Sequence, residues 1–220
     1  MERKVIITSD GSSTIHLPEW DEHYHSKHGA IQEAKHVFIK SGLSLFSNAP
    51  ISILEIGFGT GLNSFITFLE AQKLNLKVDY VGVEAYPVSN EEINCLNYVE
   101  QVKAAEYNSV FKEMHLQKWG IKNSISSDFS LTKRKQFFTE INDENTFDLI
   151  YFDAFGARVQ PELWAEEIFQ KMFNSLKQNG VLVTYSAKGS VRRAMQAVGF
   201  LVEKLPGPPG KREMLRAIKK

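Results

Sequence analysis

The chain has 220 residues, 43% of them hydrophobic and 24% charged, enough for one large globular domain or at most two small ones. No long uncharged apolar run is present, which argues against a transmembrane helix, and the single cysteine, Cys95, excludes an intramolecular disulfide and fits a reducing compartment. Formal net charge is zero, yet Lys188 to Lys220 holds nine basic residues against Glu203 and Glu213, so that segment carries +7 and the rest of the chain −7. This asymmetry fits either a polyanion-binding surface or a solvated face with a basic tail.

In chain order, Met1-Glu2-Arg3-Lys4 leads into a short strand, Val5–Thr8, too short for a signal-peptide core, so a cytoplasmic protein is expected. Asp10-Gly11-Ser12-Ser13 reads as a turn and His23 to Gly29 as a polar loop. The histidines at 23, 25 and 28 lack zinc spacing and a cysteine partner, so no metal is expected. Ala30 to Ser41 has helical periodicity, with Ile31, Ala34, Val37 and Phe38 on one face. Residues 1–45 are taken as an amino-terminal extension packed on a single domain spanning 1–220. Ile51–Ile56 is an apolar, β-branched run that predicts a strand buried on both faces, followed by a helix from Leu62 to about Lys73. Val78–Glu84 predicts a second buried strand, and Ser89 with Glu92 a capping box. Cys95 falls in this helical segment and reads as packing. Between 103 and 146 the pattern is weak, with Phe129–Thr132 as a third strand and Phe137–Ile141 as a helical turn. Strands follow at Phe147–Asp153, Gly180–Tyr185, Phe200–Glu203 and Met214–Ile218, and helices at Pro161–Leu176 and Ser190–Val198. Pro206 to Gly210 forms a rigid loop between the last two strands. Alternation of this kind predicts an α/β doubly wound, mostly parallel sheet.

The chemistry concentrates at three strand ends. After the first central strand comes Glu55-x-Gly57-x-Gly59-x-Gly61. Glycines there allow a sharp turn and close backbone approach to a ligand. The spacing is not that of a dinucleotide fingerprint, and no lysine follows as a P-loop requires. The form resembles motif I of the class I S-adenosylmethionine-dependent methyltransferases. That resemblance implies a Rossmann-like, seven-stranded sheet with an antiparallel last strand, and S-adenosylmethionine as cofactor. Glu55, Gly57, Phe58, Gly59, Thr60, Gly61 and Asn63 would then contact the cofactor, Glu55 suiting its positive charge. Glu84, at the end of the second strand, is placed to accept ribose hydroxyls. Asp153, at the end of the fourth central strand, is the catalytic candidate: a carboxylate there orients an amine or takes its proton. Asp148 lies at the other end of the same strand and reads as structural.

Further motifs narrow the resemblance. Tyr24 to Phe38, Phe58-Gly59-Thr60-Gly61-Leu62-Asn63, Phe152-Asp153-Ala154-Phe155 with Pro161-Glu162-Leu163-Trp164, Ser190-Val191-Arg192-Arg193 and Gly210-Lys211-Arg212-Glu213-Met214-Leu215 occur in one order. Together they resemble the tRNA 5-methylaminomethyl-2-thiouridine methyltransferases, MnmD or the amino-terminal half of bifunctional MnmC. The resemblance implies methylation of the aminomethyl nitrogen of a wobble uridine, tRNA as partner, and work alongside the enzymes that make the aminomethyl precursor. With no room for a flavin-dependent oxidase half, a stand-alone transferase is expected. Substrate candidates are Tyr24, which can stack on a base, Phe155, and the cations Arg192, Lys211 and Arg212. Trp164 reads as core. One departure concerns the acid that many relatives carry after the third central strand, near the adenine; here Lys133 to Phe138 offers none, leaving Gln136 or backbone. Three rival readings stand: methylation of a small-molecule or protein amine, an aminopropyltransferase of related fold, and an RNA-binding module with a degenerate cofactor site.

Overall fold

In the computed structural model, which describes residues 2–220, strands β1 (Lys4–Ile7), β2 (Ser13–Leu17) and β3 (Glu22–His23) form a small antiparallel sheet. Met1, the first residue of the expected extension, lies outside the described residues. Helix α1 (Ala30–Ala34) runs on as a π-helical turn over Lys35–Lys40. Next come β4 (Pro50–Ile56), α2 (Leu62–Lys73), β5 (Lys77–Glu84), α3 (Asn90–Asn94), α4 (Tyr98–Gln101) and α5 (Asn108–Leu116). The chain ends with β6 (Lys122–Ser126), β7 (Phe129–Lys135), β8 (Phe147–Phe152), α6 (Glu166–Ser175), β9 (Leu176–Thr184), α7 (Gly189–Ala197), β10 (Phe200–Pro206) and β11 (Glu213–Lys219).

The main sheet runs β10-β11-β9-β8-β4-β5-β7-β6. Strands β7, β5, β4, β8 and β9 are mutually parallel, and β11 is antiparallel to both of its neighbours. The sheet has eight strands, not the expected seven. The added strand, β6, lies antiparallel on the β7 edge, where its alternate exposed residues give it no apolar signature. Side chains alternate across the sheet. Ile51 and Ile53 of β4 pack with Phe38, Phe65, Tyr80 and Tyr151 on one face. Leu54 and Ile56 pack with Ile150, Phe152, Phe169 and Met172 on the other.

Local differences have physical causes. The helix expected over 161–176 is broken at Ala165, which is extended, because Trp164 turns inward to bury its ring and donate its indole N–H to the Phe155 carbonyl at 2.7 Å. Leu176 already belongs to β9. Cys95 caps α3 and is exposed, not packed. The capping box at Ser89 and Glu92 forms in both directions. Among the described residues no helix is long and apolar enough to cross a membrane.

Candidate active site

The glycine turn leaves the carboxyl end of β4 at the sheet's centre. Gly57 and Gly59 have φ of +88° and +48°, a region where side-chain-bearing residues are strained. A Cβ on Gly57 would come within 2.6 Å of the Asp153 carbonyl oxygen, and one on Gly59 within 3.1 Å of the Tyr24 ring. The turn is tied to β5 by the Gly57 and Phe58 amides, both donating to the Val83 carbonyl at 3.0 Å. The Phe58 ring tucks beneath it against Gly82. Glu84 closes the cradle: one carboxylate oxygen accepts the Gly59 N–H at 3.0 Å and the other the Tyr86 N–H at 2.9 Å.

Asp153 follows β8 and is held by its own N–H, which donates to the Ile56 carbonyl at 2.9 Å. Asn63 Nδ2 donates to Asp153 Oδ2 and to Glu55 Oε1, each at 2.9 Å. Tyr80 donates its hydroxyl to the second oxygen of Glu55 at 2.8 Å. With carboxyl acceptors on both sides, the Asn63 amide has one sensible orientation, and its Oδ1 is left buried with no partner. Burial pushes the Asp153 carboxyl up to about 7, and the Glu33 charge adds to the shift; Asn63 and Lys211 oppose it. Burial likewise holds Glu55 well above the ordinary carboxylate range.

Gly57, Phe58, Gly59, Asn63, Glu84 and Asp153 line one cavity of about 950 Å³. The small amino-terminal sheet and the segments beside it supply a further wall: Tyr24, which was expected there, and Arg3, Leu17, Trp20 and His25, which were not singled out. Their signal was weak because β2 and β3 are short and largely polar. Phe155, Gln160, Glu162 and Leu163 line the cavity on the Asp153 side, and Tyr86, Phe137, Phe138 and Thr139 beyond Glu84. The region after β7 therefore presents Phe137, Phe138 and Thr139 to the cavity, whereas Gln136 is absent from its wall.

Several expected positions are corrected. Glu55 does not face the cavity, because strand alternation turns it onto the α2 side of the sheet, beside Tyr80. Thr60 is buried with its hydroxyl on Tyr98, and Gly61 caps α2 with its Cα facing His115, so neither lines the cavity. Lys211 is not a free surface cation. Its ammonium pairs with buried Glu33 and sits 3.9 Å from the Tyr185 ring centroid. Arg192 is half-buried away from the cavity, with its Nε unpartnered. Arg212 is exposed. The histidines also separate: His23 stacks on His16 at 4.5 Å, His25 meets the Thr14 hydroxyl, and His28 packs on Gly210. Asp148 accepts the Ser52 N–H and a bond from Lys177 at the far end of β8.

A doubly wound sheet that delivers a glycine turn, a second-strand acid and a fourth-strand acid to one cavity defines a nucleoside-cofactor transferase of the class I methyltransferase type. Residues 98–220 match a family model described as S-adenosyl-L-methionine-dependent methyltransferase, and the chain belongs to that family, whose cofactor is S-adenosylmethionine. The chain is 30% identical over 212 residues to the tRNA 5-methylaminomethyl-2-thiouridine biosynthesis bifunctional protein MnmC of Leptospira borgpetersenii serovar Hardjo-bovis, an alignment covering 89% of this chain and 32% of that protein. It is 27% identical over 236 residues to the like-named protein of Polaromonas naphthalenivorans, covering 98% and 36%. It thus spans about a third of the length of these curated relatives. Among solved structures, MNMC2 from Aquifex aeolicus aligns with a TM-score of 0.77 at 24% identity, covering all of this chain and 71% of that one. Spermidine synthase from Thermotoga maritima aligns at 0.58 and 16% identity, covering 99% and 73%, a likeness of fold.

The cavity suits this cofactor chemically. Glu84 offers a carboxylate to a diol, the unpartnered Asn63 Oδ1 offers an acceptor to an ammonium, and the glycine turn leaves the room a Cβ would fill.

Proposed function

We propose that the protein methylates the aminomethyl nitrogen of 5-aminomethyl-2-thiouridine at the wobble position of tRNA. The observation that carries this reading is Asp153, a carboxyl pushed up to about 7 in the same cavity as the aromatic residues Tyr24 and Phe155. Bound S-adenosylmethionine supplies an electrophilic methyl group. Gly57 and Gly59 would let the backbone close on it, Glu84 would hold its ribose hydroxyls, and Asn63 Oδ1 would accept from its ammonium. Asn63 Nδ2 fixes Asp153 through Oδ2, which leaves Oδ1 to hold the acceptor amine and receive its proton. A carboxyl of that basicity accepts a proton near neutrality far better than an ordinary aspartate, so the amine is presented with its lone pair free. Leu17, Phe155 and Leu163 keep water from the reacting atoms, and most of the rate comes from positioning.

The bifunctional relatives carry the tRNA part of this reading, since their names state that biosynthesis. Residues 1–220 act in it as one methyltransferase domain with residues 1–45 as its extension, in the cytoplasm, downstream of the enzymes that install the aminomethyl group. The test is nucleoside mass spectrometry of tRNA bearing 5-aminomethyl-2-thiouridine after incubation with methyl-labelled S-adenosylmethionine. A single labelled methyl on the side-chain nitrogen is expected. Label on the free nucleoside but not on tRNA would shift the reading to a small-molecule amine.

A further inference from the structure

We propose that Arg158 is a positioning residue that locks the acceptor side of the cavity, and that Trp20, held through its carbonyl by Arg158, is a ring on which the acceptor's planar base stacks. This rests on the reading that the acceptor is a base carrying an amine.

Arg158 belongs to the loop that follows Asp153, yet its partners lie in the turn between β2 and β3 and at the start of β3. Its Nη2 donates to the Trp20 carbonyl at 2.7 Å, the Asp21 carbonyl at 3.0 Å and Glu22 Oε1 at 2.9 Å, while Nε reaches the same Glu22 oxygen at 3.1 Å. An exposed ion pair alone contributes little. Here the planar fork also gathers two backbone carbonyls of a tight turn, in which Asp21 has a φ of +49°. The guanidinium's length brings Nη2 to all three acceptors while Nε holds the carboxylate from the side.

The inner side of the same loop is equally fixed. Tyr185 donates its hydroxyl to the Ala154 carbonyl at 2.8 Å, and Trp164 its indole N–H to the Phe155 carbonyl. Pinned from both sides, Phe155 meets Trp20 edge-on at 5.9 Å and Tyr24 edge-on at 5.0 Å. All three rings and Asp153 line one cavity. Tyr24 has supports of its own: its N–H bonds the Ile15 carbonyl, and the Arg3 guanidinium lies 5.7 Å from its ring. Trp20 sits in a turn closed by its N–H on the Leu17 carbonyl at 3.2 Å and the Asp21 N–H on the Pro18 carbonyl at 3.3 Å, and Arg158 fixes the carbonyls of that turn from the cavity's other side. A flat base with a short amine arm satisfies both halves of such a site, since aromatic rings stack on any base and the carboxyl takes the amine.

The test combines three measurements on the full chain. Binding of the free nucleoside 5-aminomethyluridine is followed by saturation-transfer NMR, cofactor affinity by calorimetry, and methylation of tRNA by steady-state kinetics. Arg158→Ala and Trp20→Ala are each expected to weaken nucleoside binding and raise the tRNA KM about tenfold, the loss of one base-stacking contact. The kcat should change by less than about threefold and cofactor affinity should hold, because Asp153 and Glu84 are anchored elsewhere. Arg158→Lys should resemble Arg158→Ala, since its ammonium ends one bond short of the Nη2 position and nothing replaces the Nε donor, whereas Trp20→Phe should stay close to wild type. Melting curves that match wild type for Trp20→Phe keep the comparison clear of folding defects. Wild-type nucleoside binding in both alanine variants, no saturation transfer to the nucleoside in wild type, or cofactor affinity falling in step with acceptor affinity would overturn the inference. The two proposals separate cleanly. Normal tRNA methylation by the variants removes the clamp and leaves the function; nucleoside binding that needs Trp20 and Arg158, without methylation of tRNA, keeps the clamp and removes the tRNA.

Discussion

Asp153 is caught between burial and the Glu33 charge, which favour its neutral form, and Asn63 and Lys211, which favour the ionised one. The balance near 7 sets both its chemistry and its cost to the fold. If the ionised form takes the amine's proton, methylation should rise with pH through about 7 and then level. Asp153→Asn keeps the shape but not the basicity and should lose at least about 10²-fold in single-turnover rate, as removal of a positioned acid–base group does; an Asn variant near wild type would remove the carboxyl from the chemistry. The same raised pKa acts on stability in the opposite sense. Below the unfolded value near 3.8 both states are protonated; between there and about 7 the folded state alone holds the proton, so stability falls as pH rises through that window. Asp153→Asn is therefore expected to melt higher than wild type at pH 8, with the difference shrinking towards pH 4. Glu84 is a simpler case. Glu84→Ala removes the acceptor for the Gly59 and Tyr86 amides as well as for ribose, and should weaken S-adenosylmethionine by roughly 1–3 kcal/mol in calorimetry.

Among elements, the turn between β4 and α2 depends on what lies beneath it. The Phe58 ring rests on Gly82 of β5, and a Cβ there would overlap the ring. Since the Phe58 amide is tied to the Val83 carbonyl, neither partner moves freely. Gly82→Ala should destabilise the protein by about 1–3 kcal/mol, as overpacking does, and weaken the cofactor by lifting the turn; a variant with normal melting and normal affinity would show that Phe58 has another place to go. The turn, α2, β5 and β8 were legible because each carries a strong local signal: alternate glycines, helical spacing, apolar runs ending in an acid. Of the aromatic wall, Tyr24 and Phe155 were expected and Trp20 was not. β2 and β3 are two to five residues long and owe their form to pairing with each other and with β1. The turn that carries Trp20 is bonded by Arg158, more than a hundred positions away. Glu55 misled for a related reason: its place beside the glycines in sequence says nothing of which sheet face it takes, and alternation sends it under α2.

Across the whole molecule, the last 33 residues keep most of their +7 free of ion pairs among the described residues: two of their three pairs use the segment's own acids, Glu203 and Glu213, and Lys211 alone pairs outside it. Lys204 pairs with Glu213, Arg216 with Glu203, and Lys211 with Glu33, which is 178 positions away and beyond the reach of any sequence window. Lys188, Arg193 and Arg212 are exposed and make no ion pair among the described residues. If tRNA is the substrate, these cations supply the phosphate contacts, each adding about 0.7–0.9 to the slope of log affinity against log salt. Arg193→Glu with Arg212→Glu should weaken tRNA binding and flatten that slope by about 1.5, two contacts' worth, while calorimetry finds the cofactor affinity unchanged. Lys211→Glu belongs to a different class: it sets like charges against each other beside buried Glu33, so its first effect should be a lower melting temperature. A filter-binding series at several salt concentrations separates the two, and a double variant that keeps the wild-type slope would place the tRNA on another face.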